Sequence, residues 1–307
     1  MQKASNRKKI FVCTKPLQMM VAMILNKPSV ENLLYIVDSF HSAKLISESS
    51  LLKRRFLGTQ LFSNRNKAIL AAAKQHPAII FIDSDIGLKT QLTLLAAKIL
   101  APKTAIHVYE EGIGTYRTDI ITPLLKQIIY KMTGTARHFG GSVFSNKIWV
   151  FDPDLYSHRI PHLKHKALPI NPTLMNWIKD HQQEMISLFS SNIKLPESSN
   201  RDAAYLYLSD WSIDPQALET LNSLENAFIK PHPHIQDEII CKIKPTTTAI
   251  WLPPSCPAEV ILLILCIYYK VVYVKHNNST AVTYMRNLNN LIEFDTLPPF
   301  IFHQSSQ

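Results

Sequence analysis

Glycine is scarce in this sequence. The chain of 307 residues contains only 7 glycines, whereas an average composition would supply about 21. No predicted strand is followed by Gly-x-Gly-x-x-Gly, and no segment matches the Walker A pattern. Because both signatures depend on glycine to bring the backbone close to phosphates, their absence argues against NAD-type oxidoreductases and P-loop nucleotide hydrolases.

Cysteines and long apolar runs are also few. The 4 cysteines are widely spread among mostly apolar neighbours, which predicts core thiols in a reducing compartment and not a disulfide scaffold. No cluster of His, Cys, Asp or Glu has metal-ligand spacing, so we expect no metal site. The most apolar segment, 260–269, is too short to span a bilayer, and the N-terminus lacks the apolar run of a signal peptide. We therefore expect a cytoplasmic protein.

Positive charge is in excess, with 33 Lys plus Arg against 23 Asp plus Glu and a formal net charge of +10. The basic clusters at 7–9 and 53–55 are short and belong to no nucleic-acid-binding pattern, so we expect no nucleic acid partner. The charge suits an anionic substrate or a peripheral contact with the anionic inner face of the cytoplasmic membrane. One alternative stays open: a non-catalytic basic α/β protein that binds RNA or a protein partner.

Short β-rich apolar runs alternate with helical patterns along almost the whole chain. This alternation predicts an α/β fold with parallel sheets covered by helices. A predicted helix over 171–190 and a polar linker interrupt it. The sequence thus predicts two Rossmann-like domains that face each other across a cleft, with an N-terminal acceptor-side domain over 1–170, a helix and linker over 171–201, and a C-terminal nucleotide-binding domain over 202–307.

An acidic loop, Glu110-Glu111-Gly112, follows the predicted strand 105–109. Adjacent carboxylates at the end of a buried strand repel each other and lose solvent, and both effects make one of them a better base. Gly112 lets a substrate approach the backbone. The alternative is a solvated turn or a helix start that acidic residues stabilise.

A histidine flanked by prolines follows the strand at 227–230. In Lys230-Pro231-His232-Pro233, the prolines fix the backbone, so the imidazole is held on a stiff segment. From there it can donate a proton or a hydrogen bond to a phosphate leaving group. An isolated His-Pro pair is more often an ordinary loop.

Two further segments lie at predicted helix starts. Glu259 is in the first turn of an apolar helix, where it either complements the helix dipole or accepts hydrogen bonds from ribose hydroxyls. Ser279 and Thr280 follow the strand at 271–275. Their hydroxyls and the free N–H groups of a helix start form either an anion site or a simple cap.

In this order the motifs resemble those of the bacterial sialyltransferases of the GT-B type, most closely the lipooligosaccharide sialyltransferases of glycosyltransferase family 52, with the capsule polysialyltransferases as relatives. Those families carry an acidic-acidic-Gly motif, a His-Pro motif and a later Ser/Thr pair. The segment Thr14-Lys15-Pro16-Leu17-Gln18-Met19 is also similar to the Thr-x-x-Leu-Gln-Met segment of family 52. The stretch 152–201 matches no motif of these families.

The resemblance implies an inverting, metal-independent glycosyltransferase that moves sialic acid from CMP-sialic acid to a hydroxyl of a bacterial surface glycan, lipooligosaccharide or capsule. It implies no cofactor, and as partners a nucleotide-sugar donor and a glycan or glycolipid acceptor. CMP-Kdo or another nucleotide sugar is the alternative donor on the same fold.

The resemblance also assigns roles to residues. Glu111 is the expected general base with Glu110 as support, although members of the family often have Asp in this motif. His232 is expected to stabilise the departing CMP phosphate. Ser279 and Thr280 are expected to contact that phosphate, and Glu259 the ribose. The remaining expected binding residues are Thr14, Gln18, Gly112, Lys230 and Pro233.

Overall fold

The computed structural model describes residues 8–26, 31–40, 43–121, 123–189, 193, 202–233, 235–276, 279–285 and 292–296. The chain divides into two compact units, Met1–His181 and Gln182–Gln307. Each unit is built around one parallel sheet with helices packed on it. The division falls inside the segment predicted as helix and linker.

The sheet of the first unit has seven strands: β1 (Lys9–Cys13), β2 (Leu33–Val37), β3 (Gly58–Phe62), β4 (Ile79–Ile82), β5 (Ala105–Tyr109), β6 (Lys147–Val150) and β7 (Ala167–Pro169). Their order is β3-β2-β1-β4-β5-β6-β7, and every pair is parallel. In the register, Ile10 of β1 lies opposite Leu33 on one side and Ile80 on the other.

Helices cover both faces of this sheet, and successive residues of β1 are therefore buried on opposite sides. Ile10 and Val12 belong to a core shared with α4 and α5. Phe11 points the other way and stacks on Phe81, with ring centroids 4.6 Å apart. The helices of the first unit are α1 (Pro16–Leu25), α2 (Ala43–Ser47), α3 (Ser50–Arg55), α4 (Arg65–Lys74), α5 (Leu88–Leu100), α6 (Leu124–Met132), α7 (Pro153–Arg159) and α8 (Leu174–Asp180), with 3-10 helices at Ile113–Tyr116 and Pro161–Lys166.

The second unit repeats this plan on a smaller scale. Its strands are β8 (Ala203–Leu208), β9 (Ala227–Lys230), β10 (Ile250–Trp251), β11 (Val271–His276) and β12 (Ile292–Thr296), and its helices are α9 (Gln182–Phe189), α10 (Pro215–Asn222), α11 (Asp237–Ile243), α12 (Ala258–Tyr268) and α13 (Thr280–Met285), with a 3-10 helix at Lys244–Thr246. The five parallel strands follow the order β10-β9-β8-β11-β12. The sequence of α12, AEVILLILCIY, is apolar on almost every side, and seven of its residues are buried.

Three strands depart from the sequence prediction, which did not include β3, β7 or β12. All three lie at sheet edges. The first two carry weak apolar patterns, GTQLF and ALP, because an edge strand has neighbours on one side only. The predicted helix over 171–190 was also wrong in part, since it is two helices with His181 between them.

The break at His181 has a local cause. This residue leaves helical geometry at φ −117° and ψ 25°, and its ring stacks on Trp177 with centroids 4.6 Å apart. Ser190, at the end of the predicted helix, lies outside the described residues. Among the helices that the structure describes, none combines the length and the apolar character needed to cross a bilayer.

Candidate functional site

The strand order of the first unit reverses between β1 and β4. In open parallel sheets, ligands bind at the carboxyl ends of the strands beside such a reversal. The residues that follow β1, β4 and β5 lie at this edge, together with the start of α4. We call the five side chains that meet there the first-unit cluster: Thr14, Lys15, Arg65, Asp83 and Glu111.

Glu111 is the acidic residue of the loop that remains partly open to solvent. Its Oε2 lies 3.1 Å from the Nζ of Lys15, and the two side chains are 22% and 38% exposed. Burial raises the pKa of Glu111 above its usual range, and the charge of Asp83 adds to that effect, whereas Lys15 and Arg65 act in the opposite direction. The result is a carboxylate with an environment suited to accepting a proton.

Glu110 has a different environment although it is the adjacent residue. It is fully buried, and its Oε2 accepts hydrogen bonds from the hydroxyl of Tyr116 at 2.5 Å and from the backbone N–H of Phe151 at 2.7 Å. These bonds join the loop after β5 to the segment after β6. Glu110 therefore positions the loop, and Glu111 is the carboxylate available to a ligand.

Thr14 and Gln18 shape the turn from β1 into α1. The side-chain oxygen of the buried Gln18 accepts hydrogen bonds from the backbone N–H groups of Thr14 at 2.6 Å and Lys15 at 3.0 Å. The hydroxyl of Thr14 lies 2.8 Å from Oδ2 of Asp83. Gln18 thus orders the turn, while Thr14 contributes a side chain to the cluster.

Asp83 and Arg65 were missed by sequence reasoning. The Nη1 of Arg65 lies 3.2 Å from Oδ1 of Asp83. Arg65 is the first residue of α4, and Asp83 follows β4. One signal was present: Asp83 follows a buried apolar strand directly, as Glu110 follows β5. At the carboxyl end of a strand beside a reversal of strand order, a polar side chain is placed where ligands bind in open parallel sheets.

The glycines of this unit serve two different purposes. Gly112, next to Glu111, has φ +124°, a conformation that only glycine adopts without strain. Gly140 has φ +78°, and a Cβ there would lie 3.0 Å from Cβ of Ile148. The first glycine shapes the acidic loop, whereas the second allows close packing of the backbone against β6.

A buried carboxylate holds the segment around Gly140 in place. Asp85 is fully buried and accepts hydrogen bonds from the backbone N–H groups of Gly140 at 3.0 Å and Ser142 at 2.9 Å. Burial raises the pKa of Asp85, and these bonds oppose the increase. The ammonium of Lys166 donates to the carbonyl oxygens of Gly140, Ser142 and Ser145 at 2.8 to 3.0 Å. The segment from Gly140 to Ser145 is therefore held in place by hydrogen bonds to Asp85 and Lys166.

In the second unit the strand order reverses between β8 and β11. His232 follows β9, and its backbone N–H donates to Oγ of Ser209 at 2.9 Å. Its imidazole stacks on the indole of Trp211, with centroids 5.1 Å apart and planes inclined by 25°. Trp211 is 67% exposed. Sequence reasoning identified His232 but not Trp211, and together the two rings present an aromatic surface at the carboxyl edge of the sheet.

Lys230 and Glu259 are both buried. The Nζ of Lys230 donates to the carbonyl oxygens of Pro231 at 2.8 Å and Pro254 at 3.1 Å, which ties together the loops after β9 and β10. Burial lowers the pKa of Lys230 to about 8, against the opposing attraction of Cys256 and Glu259. Burial likewise raises the pKa of Glu259, and Lys230 opposes that increase. These contacts give Lys230 a positioning role.

Three more predicted binding residues belong to the second unit: Ser279, Thr280 and Pro233. Ser279 precedes α13, and its Oγ accepts a hydrogen bond from the backbone N–H of Ala281 at 3.3 Å. Thr280 is the first residue of α13, and its side chain lies outside the described part of the chain. Pro233 is half-buried in a turn. Within the described residues, no three His, Cys, Asp or Glu side chains converge as metal ligands would.

No protein-family model and no curated protein matches this sequence. Solved structures do resemble it in fold. The S. aureus MnaA-UDP structure has a TM-score of 0.52 at 12% identity, over 90% of this chain and 75% of that one. The UDP-GlcNAc 2-epimerase of Methanocaldococcus jannaschii in complex with UDP-GlcNAc and UDP has a TM-score of 0.53 at 10% identity, over 94% and 83% of the two chains.

At these identities the likeness establishes the fold alone. It confirms the prediction of an α/β fold with two Rossmann-like units of the GT-B type. The narrower resemblance to family 52 is not shown by these comparisons.

Proposed function

We propose that this chain is a glycosyltransferase that takes its donor sugar from a nucleotide, with CMP-sialic acid as that donor and a hydroxyl of a bacterial surface glycan as acceptor. The observation that carries the proposal is the environment of Glu111: a partly buried carboxylate of raised pKa, paired with Lys15, at a reversal of strand order. The order of the four short motifs supports sialic acid as the sugar.

In the proposed reaction, an acceptor hydroxyl attacks the anomeric carbon of the donor sugar. Glu111 takes the hydroxyl proton, the new glycosidic bond forms, and the bond to the CMP phosphate breaks with inversion. His232 and the hydroxyl of Ser279 stabilise the charge on the departing phosphate by hydrogen bonding. The burial and hydrogen bonding of Glu110 support Glu111 as the base.

We propose that this chemistry needs no metal ion. A nucleoside monophosphate leaving group carries less charge than a diphosphate, so a histidine and hydroxyl donors suffice to stabilise it. Activity with CMP-sialic acid should then be unchanged by EDTA. Loss of that activity on chelation, with recovery on adding Mg²⁺, would contradict this part of the proposal.

The decisive experiment is a donor panel with one acceptor glycan. The purified chain is incubated with CMP-sialic acid, CMP-Kdo or UDP-GlcNAc, and release of the nucleotide and mass of the product are measured. The proposal expects CMP release and a product heavier by one sialic acid residue with the first donor. Turnover of another donor alone would overturn the choice of sugar. The variant Glu48→Gln, at an exposed site in the same unit, is the matched control for Glu111→Gln.

A second candidate follows from the fold comparison. Two structures of similar fold are described as MnaA with UDP and as a UDP-GlcNAc 2-epimerase. An epimerase of this kind converts UDP-GlcNAc without an acceptor sugar. In the same panel it would produce a UDP-sugar of unchanged mass and altered configuration at C2, which NMR distinguishes from transfer. Binding of RNA with steep salt dependence and no turnover would favour the non-catalytic alternative.

A further inference from the structure

An apolar face lies on α6 and the first turns of α5 in the first unit. On α6, Leu124, Leu125 and Met132 are 73%, 71% and 82% exposed, and Ile128 is also exposed. On α5, Leu88 and Leu92 are exposed one turn apart. Single exposed leucines are ordinary, but a set that shares helix faces indicates an interaction surface.

The two helices adjoin where α5 begins. A Cβ at Gly87, the residue before α5, would lie 3.8 Å from the hydroxyl of Tyr130 on α6. Gln91 of α5 lies 2.7 Å from Oγ of Ser142, and the next residue, Val143, is 78% exposed. We call the six side chains together the apolar face: Leu88, Leu92, Leu124, Leu125, Ile128 and Met132.

Two cations adjoin the apolar face in the chain. Lys89 follows Leu88 on α5, and Arg137 comes five residues after Met132 of α6. The side chains of Lys89 and Arg137 are exposed. A second copy of the chain docked by two-fold symmetry would bring positive charge against positive charge. An anionic surface, in contrast, complements the positive charge of Lys89 and Arg137.

We propose that the apolar face docks onto the surface of an anionic lipid bilayer. With nine residues, α6 is far too short to cross a bilayer, but it can lie in the interface with its leucines and methionine at the acyl boundary. Lys89 and Arg137 then meet the anionic headgroups. The inference does not depend on the proposed function, since it concerns a surface and not the reaction.

The test is co-sedimentation of the full chain with lipid vesicles. Vesicles of phosphatidylglycerol and phosphatidylcholine are compared with vesicles of phosphatidylcholine alone. We expect binding to the anionic vesicles and about tenfold weaker binding to the neutral ones. The variant Leu124→Gln/Leu125→Gln/Met132→Gln should weaken anionic binding by about tenfold or more. The matched control, Leu45→Gln/Leu57→Gln, changes side chains that are 60% and 68% exposed elsewhere in the unit and should bind like the parent.

A second variant tests the charge. Lys89→Glu/Arg137→Glu should weaken binding to anionic vesicles by about tenfold and leave binding to neutral vesicles unchanged. The proposal is overturned if the parent chain does not bind anionic vesicles, or if the triple variant binds them as well as the parent. It is also overturned if light scattering shows a dimer that the triple variant disperses, without vesicle binding, because a second copy then covers the face.

Discussion

The ammonium group of Lys15 lies 3.1 Å from Oε2 of Glu111, so the loop after β1 meets the loop after β5 although β4 lies between these strands in the sheet. The contact makes the charge of Glu111 depend on a residue far away in the sequence. It also connects the segment that resembles the Thr-x-x-Leu-Gln-Met motif with the acidic motif.

Removal of this ammonium should shift the pH dependence of the proposed reaction. Because Lys15 lowers the pKa of Glu111, Lys15→Met should move the acidic limb of the rate profile to higher pH, since a general base must be ionised to act. The measurement is kcat/KM against pH for the parent, Lys15→Met and the exposed control Lys74→Met. A limb that stays in place, or moves to lower pH, would show that the ion pair does not govern the base.

The raised pKa of Glu111 also has a consequence for stability. A carboxyl group that holds its proton more tightly in the folded state than in the unfolded chain contributes stability below its usual pKa. That contribution is lost as the pH rises through the folded-state pKa. Glu111→Gln removes this titration, so the variant should gain stability relative to the parent as the pH increases from acid to neutral. Urea denaturation at several pH values checks the sign, and a constant difference would contradict it.

Glu110→Ala should destabilise the first unit. The substitution leaves the Tyr116 hydroxyl and the backbone N–H of Phe151 without the carboxylate that accepts from them, at a cost of roughly 2–4 kcal/mol. Urea denaturation should show an earlier midpoint for this variant and no change for Glu48→Ala, an exposed site. Equal midpoints for the two variants would contradict the positioning role of Glu110.

Asp85→Ala should loosen the segment around Gly140. Two buried backbone N–H groups, of Gly140 and Ser142, lose their acceptor, and the expected loss of stability is roughly 2–5 kcal/mol. Hydrogen exchange gives a local readout, because the amides of Gly140 and Ser142 should lose protection before those of β1. Unchanged protection at these two amides would mean that Asp85 does not hold the segment.

His232→Ala should weaken CMP binding by about tenfold, the effect of losing a hydrogen bond to a charged group, and Glu111→Gln should leave it unchanged. Since the imidazole stacks on Trp211, CMP binding should also change the fluorescence of that indole, and Trp211→Phe should remove the change. Isothermal titration calorimetry measures the affinities. The proposed roles are contradicted if Glu111→Gln weakens CMP binding as much as His232→Ala does.

The sequence predicted the central strands well and missed three of the edge strands, β3, β7 and β12. Strands β1, β5, β8 and β9 have the bounds that the sequence predicts, 9–13, 105–109, 203–208 and 227–230. Each is a short apolar run bounded by polar or turn residues. The edge strand β3, with Gly58, Thr59 and Gln60, lacks such a pattern. Periodicity reflects burial, and an edge strand is buried less completely.

The chemistry of the candidate site was predictable only in part. The position of Glu110 and Glu111 after β5 followed from the sequence, but their separate environments did not, since these depend on Tyr116, Phe151 and Lys15. The pair of Arg65 and Asp83 was missed for the same reason. Contacts between loops that follow different strands are set by strand order, which local patterns do not encode.

The most direct test of the central claim is the rate of CMP release from CMP-sialic acid by Glu111→Gln in the presence of an acceptor glycan. We expect a loss of roughly 10²–10⁴-fold in kcat, with an unchanged circular dichroism spectrum and unchanged CMP affinity, while Glu48→Gln retains the parent rate. A folded Glu111→Gln protein that releases CMP as fast as the parent would contradict the assignment of Glu111 as the base.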